Sequence, residues 1–454
     1  MSSFLSVIQE ILSTPAILVG LIAFIGLVAQ KKPFEDVIKG TIKTIIGFVV
    51  LGAGADVVVG ALNKFGDIFN FAFNVQGVVP NNEAIVSLAL NDYARVTALI
   101  MALGMIANIL IARFSKLKFI FLTGHHTLYM AALIAVVLSV GGLEGWQLVI
   151  GGAALLGFTM ALFPAMIDKE MQKVTGNDQV GFAHFGTVGY VFAAWVGKLT
   201  GKESESTEEM KFPKKLSFLR DTSVSIGLTM FIFFIIISLI ATFRPEFNPE
   251  MLGGQNWFLF SLMEGLTFAA GVYIVLSGVR MVIGEIVPAF KGISEKIVPD
   301  AKPALDCPVV FPFAPNAVLL GFISSFAGGI VGLGVLALLN KTSLSPALIL
   351  PGVIPHFFCG ATAGVFANAT GGKRGAVIGS FAHGLLITFL PALLMPVLGN
   401  LGFASTTFSD ADFTVVGIIL GNLAKVVQGV GLFAIVMVIS LSPIILNMVK
   451  KDRK

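Results

Sequence analysis

KFGDIFNFAFNVQGVVPNNEAIVSLALND, residues 64–92, is neither a plain membrane span nor a plain loop. It is moderately apolar, yet Gly, Pro and Asn interrupt it, and a long apolar run stands on each side. IVPAFKGISEKIVPDAKPALDCPVVFPF, residues 286–313, has the same character and is rich in proline. Laying DVVVGALNKFGDIFN, from Asp56, over RMVIGEIVPAFKGIS, from Arg280, sets Asn82 opposite Asp306. The spans from residue 39 onward then pair with those from 257 onward, five spans apart. An odd offset reverses orientation in a bilayer, so an inverted repeat with interrupted segments in matching positions is expected. Two unrelated loops are the alternative. Backbone broken at membrane depth must be buried in protein or line an aqueous cavity. Residues 64–92 and 286–313 are therefore re-entrant hairpin candidates and the best pointer to a substrate site.

The rest of the chain sets that reading in a membrane. Of 454 residues, 56% are hydrophobic and 12% charged, and the mean hydropathy is +0.91. A soluble domain carries about 25% charged residues, so a soluble enzyme, a disordered chain and a disulfide scaffold are excluded. The unbroken apolar runs also exclude a transmembrane barrel, whose strands alternate over about ten residues. An all-α integral membrane fold remains. Candidate spans are roughly 15–30, 39–62, 93–113, 117–140, 145–165, 222–243, 257–280, 315–339, 345–371, 375–400 and 415–445, about 11 transmembrane helices. Basic clusters at Lys31-Lys32, Arg113 to Lys118, Lys198 to Arg220, Lys373-Arg374 and the final KKDRK all fall in the cytoplasm if the N-terminus is outside. That predicts a cytoplasmic C-terminus. The charged stretch 200–221 separates a first membrane half, 1–199, from a second, 222–454. The N-terminus lacks a basic n-region and is read as mature sequence. The net charge of +4 sits at the ends of apolar runs and gives no reason to expect nucleic acid. Cys307 and Cys359 form no framework.

Several polar residues need a reason to lie in such a chain. Glu83 and Asp306 end the two interrupted stretches, and a charge at membrane depth costs about 2.5 kcal/mol or more. Each is read as an acceptor for hydroxyls of a polar solute, with a helix-capping role as the alternative. In LTGHHTLYM, His125 and Tyr129 share a helix face, while His126 points about 100° away. Thr127 and Leu128 complete that stretch. Interhelical hydrogen bonding is the plainer reading of this run, but two adjacent histidines favour a site. No local His/Cys/Asp spacing completes a metal set, so no metal and no cofactor are expected. His184, in GFAHFGTVGY, is a candidate for the edge of the site, His356 is the repeat counterpart of the 124–126 region, and His383 reads as packing. No GxSxG elbow, P-loop or HExxH is present.

At these residues the chain resembles the membrane-embedded IIC component of the ascorbate family of the bacterial phosphotransferase system. The resemblance spans essentially the whole chain. Its most specific pieces are KGTIKTIIGF at 39–48, LTGH at 122–125, GVRM at 278–281, LDCPVVFPFAPNAV at 305–318 and PHFFCGATAGVFAN at 355–368. It implies a homodimer in the inner membrane, each protomer holding a fixed dimerisation domain interleaved with a mobile core domain, and inverted repeats with two re-entrant hairpins. It also implies substrate-binding positions at Asn82-Glu83, at His125, His126, Thr127, Leu128 and Tyr129, at Gly186-Thr187 and at Asp306. The relatives carry a His-Gln pair where this chain has Gly186-Thr187, with His184 two residues earlier. A related polyol or sugar acid therefore stays open beside ascorbate.

The activity so implied is uptake of L-ascorbate coupled to its phosphorylation by a cytoplasmic IIB protein, itself charged by IIA. This chain would supply no phosphoryl-carrying residue and would be a transport subunit, not an enzyme. An ion-coupled secondary transporter with Glu83 or Asp306 as proton site is the competing class.

Overall fold

The computed structural model describes residue 7 and residues 14–74, 77–78, 80–202, 204–210, 221–400 and 406–451. Its helices are α1 (Pro15–Ala29), α2 (Phe34–Phe73), α3 (Asn82–Phe114), α4 (Gly124–Val140), α5 (Gly145–Thr175), α6 (Thr187–Thr200), α7 (Thr222–Thr242), α8 (Trp257–Lys296), α9 (Pro315–Leu339), α10 (Val353–Asn400), α11 (Ala411–Val426) and α12 (Val430–Lys451). Among the described residues, seven helices are long and apolar enough to cross a membrane, and three further apolar helices are shorter. The architecture is that of an all-α membrane protein. α10 leaves helical geometry at Gly371 and Gly372, which divides it near the expected boundary between two spans.

The segments that did not read as plain helix resolve as follows. Residues 64–73 continue α2, whose end is turned by Asn74 in the left-handed region (φ 50°). The next helix begins at Asn82, where the Asn81 side chain accepts the Ala84 N–H at 2.8 Å to start α3. In the second stretch α8 runs through Pro288 to Lys296, followed by a strand at Lys302–Leu305 and a 3-10 helix at Cys307–Phe313. The expected span 117–140 opens instead with a strand at Phe119–Phe121. The expected span 415–445 is two helices, parted where Gly429 takes φ +56° and gives its N–H to Gly141 at 2.9 Å.

The two long helices α2 and α8 have 40 residues each. In the register that lays Asp56 on Arg280 the two helices agree at their ends to within one residue. They pack antiparallel at close range through glycine. A Cβ on Gly54 would lie 2.6 Å from Val275 N, and one on Gly278 would lie 2.5 Å from Leu51 N. The register that lays Asp56 on Arg280 also carries Gly47 onto Gly271 and Gly54 onto Gly278. The seam thus uses equivalent glycines from both halves. Small residues let helix backbones approach where lipid supplies no hydrophobic drive.

Short strands tie the halves together. β1 (Phe119–Phe121), β2 (Gly181–Phe182) and β3 (Lys302–Leu305) form a parallel sheet in the order β1-β3-β2. The second half's strand thus lies between two strands of the first. The mirror arrangement holds the first half: Val78 bridges Ile349 and Pro80 bridges Thr407, both parallel. These ladders pair backbone groups that could not face lipid unpaired. Around them lie two apolar bodies. One joins α1, α2, α7, α8, α9 and the first arm of α10. The other joins α3, α4, α5, α11 and the end of α10.

Candidate functional site

The polar groups His125, His126, His184, Asp306, Asn82 and Asp410 stand where a strand or bridge hands over to a helix. β1 leads into Thr123, whose hydroxyl donates to Ala183 O at 2.6 Å, and then into His125 and His126 in the first turn of α4. β2 leads to His184, β3 to Asp306, and the Pro80–Thr407 bridge to Asn82 on one side and Ser409-Asp410 on the other. The carboxyl ends of parallel strands are a general place for ligands in sheets. Here they open on a cavity of about 590 Å³, walled on its far side by α2 residues such as Phe48, Leu51 and Leu62. That volume is typical of small-molecule sites.

Three histidines and two aspartates meet there. His125 Nε2 lies 3.5 Å from Asp306 Oδ2. His126 Nε2 and His184 Nε2 lie 3.9 and 3.8 Å from Asp410 Oδ2. All three separations are longer than the roughly 2.7–3.2 Å usual for a hydrogen bond. The donors and acceptors converge without closing on one another, so a solute oxygen lying beside a pair can bond to both members. The other sides of these groups are held. Asp306 Oδ1 accepts Cys307 N–H at 2.7 Å. Asp410 Oδ1 accepts Ser409 Oγ–H at 2.6 Å and Cys359 Sγ–H at 3.5 Å. His184 Nδ1 meets the Tyr190 hydroxyl at 2.9 Å. His126 Nδ1 accepts the Phe185 N–H at 3.2 Å, and its ring stacks on Phe413.

The bond to Phe185 decides which way His126 faces. An acceptor at Nδ1 puts the proton of the neutral ring on Nε2, so His126 presents a donor to the cavity. His126, His184 and Asp410 bring one ligand atom each within 4.8 Å, but a protonated Nε2 offers no lone pair to a metal. The same holds for His125, His126 and Asp306; a third group, His184, Asp306 and Cys307, lies equally close and does not include His126.

Of the residues expected from sequence, Asn82, His125, His126, Tyr129 and Asp306 all line the cavity. Asn82 is also structural, since its carbonyl accepts the Ser409 N–H at 2.9 Å. The Glu83 side chain lies outside the described residues. Thr127 is fully buried and donates to Thr123 O at 2.9 Å, and Leu128 packs on the second apolar body. Gly186 and Thr187 stand behind the wall, where Asp412 receives the N–H groups of Thr187 and Val188 at 2.9 and 2.7 Å and so seats α6. His184 lines the cavity two residues earlier. Sequence reasoning missed Ser409 and Asp410. The repeat carried the clue: the register that lays Asp56 on Arg280 sets Gly186 opposite Asp410.

Comparison with known proteins gives this site a context. The family described as "PTS system sugar-specific permease component" (EIIC-GAT) matches residues 10–412. A Mycoplasma pneumoniae protein described as "Ascorbate-specific PTS system EIIC component" is similar at 27% identity, over 91% of this chain and 70% of that protein. The chain belongs to the sugar-specific permease (EIIC) family of the phosphotransferase system.

Proposed function

We propose that this permease takes up L-ascorbate across the cell membrane, coupled to phosphorylation by a cytoplasmic IIB partner. The observation that carries the reading is the set of three imidazoles and two carboxylates, spaced 3.5–3.9 Å apart around the cavity. A hydroxyl-rich ring supplies oxygens that both donate and accept, and a cavity of about 590 Å³ lined by such groups can hold it. The similarity to a protein described as ascorbate-specific supports the choice of solute. Asp306 accepts a ring or chain hydroxyl, His126 donates from Nε2, and His125, Tyr129, Asn82 and Glu83 complete the contact. Thr127, Leu128, Gly186 and Thr187 serve as the frame that orients them.

The close antiparallel packing of α2 on α8 is compatible with an inverted-repeat transporter of about eleven spans, in which a core domain carrying the cavity moves against a fixed domain that dimerises. The interrupted segments 64–92 and 286–313 act as its hairpins, and the C-terminus is cytoplasmic. Once the site faces inward, the partner's phosphocysteine gives its phosphoryl group to a solute hydroxyl. The S–P bond breaks as the O–P bond forms, and the cysteine sulfur leaves as a thiolate that takes up the hydroxyl's proton. This chain holds the acceptor hydroxyl and excludes water.

Proteoliposomes containing the purified permease, supplied with a phosphorylated IIB, test the proposal. Phosphorylated ascorbate accumulates inside only when the phosphoryl donor is present on the cytoplasmic face. Uptake that needs no IIB and collapses with the proton gradient would favour an ion-coupled carrier. A preference for a pentitol or galactitol would keep the permease and replace the solute.

A further inference from the structure

The charges around the cavity do not match an anion. Among the described lining residues are Asp56, Asp67, Asp306 and Asp410, and there is no lysine or arginine. Ascorbate carries an enolate charge near neutral pH, and like charges in a site of low dielectric repel by several kcal/mol. A proton taken up with the solute would restore the balance; on a carboxyl it would only remove a charge, whereas on one of the three histidines it makes a cation that can face the enolate.

The three are not equivalent. His126 Nδ1 is engaged by the Phe185 N–H at 3.2 Å, so a second proton on His126 would break that bond. His184 is 4% exposed and wedged between the His126 ring, with centroids 4.1 Å apart, and Tyr190. It lines the cavity, but its Nδ1 is engaged by the Tyr190 hydroxyl at 2.9 Å and its Nε2 faces Asp410 at 3.8 Å, so a cation there would be spent on Asp410. The His125 side chain is 37% exposed to the cavity. It faces Asp306 from the end of β3, His126 and Tyr129 on its own helix, and His184 ahead of α6. Asp56 and Asp67 of α2 and Asp410 ahead of α11 line the same cavity.

We infer that the anionic solute enters this cavity together with a proton, which His125 carries. The inference rests on the reading of the solute as ascorbate. The imidazolium then faces the enolate, while Asp306 keeps its acceptor for a neutral hydroxyl. Proton and solute bind as a linked pair, so affinity falls as pH rises.

Calorimetric titration of L-ascorbate into the full-length protein in detergent, in buffers of different ionisation enthalpy, measures the linked protons. About one proton is taken up per ascorbate bound, and the Kd rises up to about tenfold per pH unit above neutrality. His125→Gln, which keeps a donor near the ring's Nε2, still binds more weakly and loses both the proton uptake and the pH slope. Saturable binding by the wild type with no proton uptake overturns the inference and leaves the ascorbate assignment standing. An affinity that depends on sodium in place of pH also overturns it. Galactitol binding with no ascorbate binding, by protein that elutes as a single species, overturns the ascorbate reading and this inference together.

Discussion

His126 Nδ1 accepts the backbone N–H of Phe185 at 3.2 Å, and this one bond turns a buried imidazole into a donor aimed at the cavity. It joins the first turn of α4 to the segment after β2. The same contact fixes the frame and the polarity of the site.

Two substitutions separate those roles. In His126→Asn the side-chain carbonyl can replace Nδ1 and keep the Phe185 N–H satisfied, but nothing reaches the position of Nε2. In His126→Gln the reach is restored and the local acceptor is lost. The Asn variant should melt near the wild type and bind ascorbate at least about tenfold more weakly, the worth of one hydrogen bond to a polar solute. The Gln variant should bind better than Asn and be less stable by about 1–3 kcal/mol, the cost of an unpaired buried N–H. Melting curves and equilibrium binding on the same preparations check both.

The α2–α8 seam makes a second prediction. Gly54→Val would press its Cβ to 2.6 Å from Val275 N, and overpacking of this kind costs about 1–3 kcal/mol. A Cβ added at Gly60, on the same helix, would meet nothing within 4 Å. Gly60→Ala should be neutral or stabilising by up to about 1 kcal/mol, since alanine favours helix over glycine. Thermal melts in detergent should rank Gly60→Ala at or above the wild type and Gly54→Val clearly below it.

Outside the membrane segments, Glu208 sits in a 3-10 turn at Thr207–Glu209 and seats the start of α9. Its Oε1 accepts the N–H groups of Asn316 and Ala317 at 3.0 and 3.2 Å and the Thr207 hydroxyl at 2.9 Å. Burial raises its carboxyl above the ordinary carboxylate range, against the opposing pull of these hydrogen bonds. The folded state then binds more protons than the unfolded one between the ordinary value and the raised one. Stability therefore falls as pH rises through that window. Glu208→Gln keeps a carbonyl acceptor and removes the titration. The melting temperature of the wild type should decline relative to that of Glu208→Gln as pH is raised across the window, and the gap should be constant above it.

Much of this was legible in the sequence because hydropathy and repetition act over long stretches. The register that lays Asp56 on Arg280 pairs Gly47 with Gly271 and Gly54 with Gly278, and all four stand in the α2–α8 seam. His125 and Asp306 stood out because polar groups in an apolar chain need a partner. The strands did not. Phe-Ile-Phe at 119–121 carries no period of its own, and only pairing with Lys302–Ala304 from the other half makes it a strand. Asp410 was hidden for the same reason. In TTFSDADF it resembles loop, and its meaning comes from His126 and His184, which belong to the opposite half of the chain. The split between α11 and α12 had a local sign, the Gln428-Gly429 pair, that hydropathy averaged away.

The most direct test of the account is equilibrium binding of radiolabelled L-ascorbate to the purified protein, wild type beside Asp306→Ala and Asp306→Asn, with galactitol and xylitol as competitors. The account predicts saturable binding by the wild type, little displacement by either polyol, and a loss of at least about tenfold in both variants, as expected for a hydrogen bond to a charged acceptor. Wild-type affinity retained in both variants, or displacement of ascorbate by a polyol at equal concentration, would contradict it.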